Sequence, residues 1–250
     1  MTKYKLVALD MDGTLLNDQL EISEENEKWI NKALQAGVTV SFSTGRGFPG
    51  ANPYAEQLKL NTPMITVNGS EVWSKPHVLH KRITLGYEKI EQLHQLALQY
   101  PDVWFWAYST QGIYNKEKWL EEGTHFSDYE WLKFGYHTED DQAREEILTR
   151  IKEWDLYEVT NSSPWNLELN PKGITKASGI RELCKLLDIQ MSETIAVGDS
   201  LNDIAAIRAC GMGVAMGNAQ EAVKSAADAV TLTNNENGVA EVIKRYVFGL

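Results

Sequence analysis

Residues 6–9, Leu-Val-Ala-Leu, form an unbroken apolar run that stops at Asp10. A short run without polar alternation suits a strand buried on both faces, as in a parallel sheet. Ser23 follows as a helix N-cap, with Glu24 and Glu25 in the first turn, where acids suit the helix dipole. Asn26 stands where a full capping box would have Glu or Gln. The helix carries Trp29, Ile30, Ala33 and Leu34, and Gly37 ends it. Strands are then predicted over 38–43 and 64–67. Strands that alternate with helices pair in parallel, so the pattern predicts a doubly wound, mostly parallel α/β sheet core.

The alternation changes character over 80–166. Helices are predicted near 87–99 and 141–154, with strands near 103–108 and 156–160. Six of the eight tryptophans fall here: Trp104, Trp106, Trp119, Trp131, Trp154 and Trp165. Trp104 and Trp106 share one strand face and are expected to pack on the helices of this segment; stacking of one such ring on a substrate is the alternative. After it the first pattern resumes, with a helix over 176–187, a strand over 194–197, a helix over 202–208 and a short strand at 213–215. The expected organisation is a core made of residues 1–80 and 166–250, interrupted by an inserted α+β domain over 81–165. A chain of 250 residues with 43% hydrophobic content can bury both cores.

The net charge of −11 shows no basic footprint for nucleic acid. A chain this acidic that handled phosphate would need local cations. Cys184 and Cys210 form no CxxC pair and are too few for a disulfide framework, so a reduced, cytoplasmic protein is expected. The N-terminal apolar run is too short for a signal peptide or a membrane span, and no membrane partner is expected.

Ligands of open α/β sheets sit beyond the carboxyl ends of the strands, and four polar clusters fall at such positions. Asp10-Met11-Asp12-Gly13-Thr14 closes the first strand. Two acids at i and i+2 can turn toward one point if Gly13 bends the chain; ordinary turn chemistry explains one acid and a glycine, but not both acids followed by Gly-Thr. Thr44-Gly45-Arg46 closes the second strand and offers a hydroxyl and backbone N–H groups to an anion, although a plain loop reads the same way. Lys176 opens a helix, against the macrodipole, which suits a bound anion; a solvated surface lysine is the alternative. Gly198-Asp199-Ser200-Leu201-Asn202-Asp203 places three polar groups at a helix start, where capping needs only one. Such hard oxygen donors suit Mg²⁺.

In this order the clusters resemble the motifs of the haloacid dehalogenase-like hydrolases: D-x-D-G-T, T/S-G-R, a lysine, and G-D-x-x-N-D. The segments Thr66-Val67-Asn68-Gly69 and 213–219, with Ala227-Asp228, resemble the Cof-type subgroup. That subgroup has Lys-Gly in its third motif, whereas this chain has Lys176-Ala177, with Lys172-Gly173 just upstream. Lys176 is preferred because it opens the helix. Only 33 residues separate Asp10 from Thr44, but 131 separate Thr44 from Lys176. The insertion therefore follows the second motif, which resembles the C2 cap position and, by its size and α/β alternation, the IIB type.

The resemblance implies an Mg²⁺-dependent phosphatase for small phosphorylated metabolites, such as sugar phosphates. Asp10 would be the nucleophile that becomes an aspartyl phosphate, and Asp12 the general acid and base. The metal would lie on the Asp10 carboxylate, the Asp12 backbone carbonyl and Asp199. Thr44, Gly45, Lys176 and Asn202 would hold the phosphate, supported by Asp203 and Arg46. The inserted domain would select the substrate, and the protein would be a monomer or weak homodimer. A sugar phosphomutase is the alternative enzyme, and a non-catalytic phosphometabolite-binding protein the alternative outside enzymes; the +2 acid, Asp12, argues against the latter.

Overall fold

A computed structural model describes residues 3–250 as two compact units, Met1–Lys81 with Thr175–Leu250, and Arg82–Ile174. The first unit opens with β1 (Leu6–Leu9), α1 (Glu24–Gln35), β2 (Thr39–Phe42), α2 (Phe48–Gln57), β3 (Met64–Thr66), β4 (Glu71–Lys75) and β5 (Val78–Arg82). The second unit holds α3 (Tyr87–Ala97), β6 (Trp104–Ser109), β7 (Ile113–Asn115), β8 (Trp131–His137), α4 (Asp141–Trp154), β9 (Tyr157–Thr160) and β10 (Asn166–Pro171). The first unit then resumes with α5 (Lys176–Leu187), β11 (Thr194–Gly198), α6 (Ile204–Ala209), β12 (Met212–Ala215), α7 (Glu221–Ala226), β13 (Ala229–Val230) and α8 (Gly238–Val242).

The main sheet of the first unit runs β13-β12-β11-β1-β2, parallel throughout. β1 is an interior strand, between β11 and β2, and is fully buried, as its unbroken apolar run requires. Ser23 caps α1 by accepting from Asn26 N–H at 3.2 Å. Asn26 does not close the capping box; it is buried and its amide oxygen takes the Ala240 N–H at 2.9 Å, tying α1 to α8. β1 and β11 are neighbours in register, Leu9 beside Val197, so the segments that begin at Asp10 and Gly198 leave the same edge side by side.

α2 was not anticipated, because Phe48-Pro49-Gly50 reads as a turn. Pro49 lies in the first helical turn, where its missing N–H costs nothing, and the helix tolerates Pro53 further along.

In the second unit the antiparallel sheet runs β7-β6-β8-β10-β9. Phe105, Ala107, Phe134, Tyr136, Leu167 and Leu169 share one core with Ile90 and Leu93 of α3 and Ile147 and Ile151 of α4. Trp104 and Trp106 alternate with Phe105 and Ala107 and therefore lie on the opposite face, their rings 5.4 Å apart. They do not join the core beneath the helices, contrary to expectation. The division between units falls at 174/175 rather than at 165/166. β10 pairs with both β8 and β9 and so belongs to the second sheet.

Candidate active site

Thr175 caps α5, accepting from Ser178 N–H at 3.2 Å, and this sets Lys176 at the first helical position. The Lys176 ammonium is buried and donates to Asp10 Oδ1 at 2.6 Å and to Asp203 Oδ1 at 2.7 Å. Lys172 does neither. It belongs to the second unit and pairs with Asp155 on the surface.

The acids are arranged around that ammonium. Asp203 turns back so that its Oδ2 accepts from the N–H groups of Asp199 and Ser200, each at 3.1 Å. Asp199 accepts from the Thr14 hydroxyl at 3.0 Å and from the Ser200 hydroxyl at 3.0 Å. Gly13 has φ +76°, and a Cβ there would lie 2.6 Å from Asp199 Oδ2. The glycine of the first cluster therefore makes room for the acid of the fourth.

Oxygens of Asp10, Asp199 and Asp203 lie within 4.8 Å of one another. Burial pushes the Asp10 carboxyl well above its usual range; Lys176 pulls it down, while Asp203 and Asp199 push it up again. Burial, and then the charge of Asp203, pushes Asp199 up to about 6. Burial alone would lower the Lys176 ammonium, but attraction to Asp10 and Asp203 outweighs it and holds the group above its ordinary value. One ammonium, bonded to Asp10 and Asp203, thus stands against three carboxylates. That excess negative charge, on hard oxygen donors with no thiol or imidazole among them, fits a divalent cation such as Mg²⁺.

Asp12 lies outside this cluster. Arg46 grips it at both oxygens, Nη2 to Oδ1 at 2.5 Å and Nε to Oδ2 at 2.8 Å, a fork-to-carboxylate geometry. Arg46 is held in turn by the Gly50 carbonyl and the face of the Tyr54 ring, both on α2. The unanticipated helix therefore aims the arginine. Thr44 is buried, and its hydroxyl accepts from Arg46 N–H at 3.1 Å; Gly45 lies between them in the same loop. Asn202 is buried in the 3-10 turn Leu201–Asp203 and donates to Asn68 at 3.3 Å.

Two supports went unnoticed in the sequence as site residues. Asn218 donates to the Gly13 carbonyl at 2.8 Å, and Asn68 meets Asn202. Both lie in segments noted only for their family resemblance. No local signal marks either side chain, because each acts across more than a hundred positions.

The profile of the haloacid dehalogenase-like hydrolases matches residues 7–148 and 130–243. The chain is 44% identical over 243 residues to the 5-amino-6-(5-phospho-D-ribitylamino)uracil phosphatase YcsE of Bacillus subtilis, covering 97% of this chain and 96% of that one. It is similar to the solved structure of a haloacid dehalogenase-like hydrolase from B. subtilis, with TM-score 0.86 and 28% identity over 96% of this chain and 99% of that chain. It shares its fold with the HAD subclass IIB sugar phosphatase BT4131, with TM-score 0.83 and 24% identity over 97% and 98% of the two chains. Among the described residues no helix is long and apolar enough to cross a membrane. With its profile match and this 44% identity, the chain belongs to the Cof-type haloacid dehalogenase-like hydrolases and is a phosphatase.

Proposed function

We propose that this phosphatase removes phosphate from a small metabolite by way of an aspartyl phosphate on Asp10, with Mg²⁺ as its cofactor. The observation that carries the reading is Asp10 itself, a buried carboxylate at the end of β1 bound to a buried ammonium. Asp10 attacks phosphorus, and the ester P–O bond breaks. Asp12 gives its proton to the departing oxygen. Water then attacks the phosphorus, Asp12 takes the water's proton, and the bond to Asp10 breaks to release inorganic phosphate. Lys176, Thr44 and the Gly45 N–H hold phosphoryl oxygens, which supplies fixed positive charge and hydrogen bonds where negative charge gathers.

Asp203 commits one oxygen to Lys176 and the other to two backbone N–H groups. That leaves Asp10 and Asp199, with the Asp12 backbone carbonyl, to hold the metal. When bound, Mg²⁺ would offset the repulsion between an anionic nucleophile and an anionic ester. Residues 82–174 would select the leaving group.

The 44% relative acts on a ribityl phosphate joined to an aminouracil, and the same compound is the substrate to test first here. Phosphate release from it should exceed that from hexose phosphates in kcat/KM, and Asp10→Asn should abolish both. Residual activity of Asp10→Asn within about tenfold of wild type, a loss near 1.4 kcal/mol, would remove Asp10 from the nucleophile's role.

A further inference from the structure

Gly13 is the hinge of the first acidic segment. Its φ is +76°, and glycine enters that region about as readily as the rest of its allowed space. The residue itself therefore does not fix the two peptide groups that flank it. One of them carries the Asp12 carbonyl, proposed to hold the metal. The other carries the Gly13 carbonyl and the Thr14 N–H.

The second peptide is held at both ends. Its N–H donates to the Met11 carbonyl at 3.3 Å, a long bond inside the same loop. Its carbonyl accepts from Asn218 Nδ2 at 2.8 Å. Asn218 is oriented in turn, because its Oδ1 accepts from Asn234 N–H at 3.0 Å. A carbonyl only accepts and a backbone N–H only donates, so these two contacts decide which end of the amide faces Gly13. Asn218 lies in the loop between β12 and α7, and Gln220 of that loop donates its N–H to the Asp199 carbonyl at 3.0 Å. One short loop thus fastens Gly13 by a side chain and Asp199 by the backbone.

Two further asparagines brace the Gly13 loop farther along. Asn234 Nδ2 donates to the Leu16 carbonyl at 3.0 Å. Asn235 donates to Asp18 Oδ2 at 2.9 Å and accepts from Asp18 N–H at 3.2 Å. Of the three, Asn218 is the one bonded to the peptide beside the Asp12 carbonyl.

We infer that Asn218 is a positioning residue for the metal: by holding the Gly13 carbonyl, it sets the Asp12 carbonyl against the Asp199 carboxylate. This rests on the reading that Mg²⁺ lies on Asp10, Asp199 and the Asp12 carbonyl. Asn218 is exposed, and its lever is one neutral hydrogen bond. The expected loss of affinity is therefore about three- to tenfold, which corresponds to ~0.7–1.4 kcal/mol.

Calorimetric titration of Mg²⁺ into the metal-free protein tests it, beside thermal melts in EDTA. Asn218→Ala should raise the Mg²⁺ dissociation constant about three- to tenfold, while its metal-free melting temperature stays within about 4 °C of wild type. Asn235→Ala loosens the same loop at Asp18 and should bind Mg²⁺ within about twofold of wild type. A merely structural role would move the metal-free melt, or would weaken Mg²⁺ equally in both variants. Either of those results, or an Asn218→Ala affinity within about twofold of wild type, would overturn the assignment. Asp199→Asn separates the two readings. Wild-type Mg²⁺ affinity in that variant defeats the metal site and the role of Asn218 with it, whereas lost affinity there beside wild-type affinity in Asn218→Ala defeats only the role of Asn218.

Discussion

Lys176 offers the sharpest contrast that a single side chain can make here. Its ammonium is 1% exposed and serves two carboxylates at 2.6 and 2.7 Å. Lys176→Met keeps the apolar stem and removes the charge, leaving Asp10 and Asp203 buried without their cation. Breaking a buried pair by removing one partner costs roughly 3–5 kcal/mol. At roughly 2–4 °C per kcal/mol for a chain of this size, the melting temperature should fall by ~6–20 °C. Phosphate release should fall by orders of magnitude as well, because the group proposed to meet the phosphoryl oxygens is gone. Lys172 is the control. Its side chain is 54% exposed and its partner Asp155 is 79% exposed, and an exposed pair contributes about 0–1 kcal/mol. Lys172→Ala should melt within ~4 °C of wild type and keep its kcat/KM. Thermal melts and steady-state phosphate release on the two variants decide the matter. A Lys176→Met protein that melts like wild type would show that the ammonium does not compensate those acids, and a Lys172→Ala protein that loses turnover would show that the third motif lies at the wrong lysine.

Asp12→Asn should lose more activity on an alkyl phosphate than on para-nitrophenyl phosphate, whose leaving group needs no proton, and Arg46→Ala should show the same bias because its fork holds both Asp12 oxygens; equal losses on the two substrates would remove Asp12 from the acid role. Asp199 is pushed up to about 6 by burial and then by Asp203, while the unfolded chain takes up that proton only near pH ~4. Without metal the folded state therefore loses stability as pH rises from ~4 through ~6, and the rise in melting temperature on adding Mg²⁺ should be small at pH 5 and larger at pH 7; a rise that is flat with pH, measured against EDTA, would contradict the metal role of Asp199. Gly13→Ala forces a Cβ at φ +76° to within 2.6 Å of Asp199 Oδ2, so it should cost more than ~1 kcal/mol in a melt and weaken Mg²⁺ in a titration; a wild-type affinity would show that Asp199 is not displaced.

What the sequence made legible was whatever is written in adjacent residues. The apolar run at 6–9 announces β1, and an acid pair with a glycine announces a bend at its end. The helix cap at Ser23 follows from a hydroxyl three residues before a bonded N–H, whereas the equivalent cap at Thr175 was not read from the sequence. The inserted unit was legible from arithmetic, since the gap between Thr44 and Lys176 is too long for the core alone. Its far boundary was not, because Asn-Leu-Glu-Leu-Asn-Pro of β10 carries no mark that distinguishes pairing with β8 and β9 from pairing in the main sheet. α2 was hidden by Pro49 and Pro53, whose helical cost depends on position in the turn and not on presence.

The acidic balance of the chain demanded local cations wherever phosphate is handled, but a charge count cannot say which acid each cation serves. Arg46 and Lys176 were both foreseen as site residues, yet they divide the acids in a way that only three dimensions define. Arg46 spends its fork on Asp12, the acid proposed to move protons. Lys176 bridges Asp10 and Asp203, the acid proposed to take the phosphoryl group and the acid that anchors the lysine. Asp199 receives only hydroxyl hydrogens from Thr14 and Ser200, with no cation among its partners there. It is therefore the acid of the three that, among the described residues, makes no direct contact with a cation of the protein, and its titration is raised by burial first and then by the charge of Asp203, with Ser200, Lys176 and Thr14 offsetting only part of that rise. A bound cation would supply the direct contact that Asp199 lacks. On the proposed reading, a site that pairs two of its acids internally and leaves a third to hydroxyl groups is one that a divalent cation would complete.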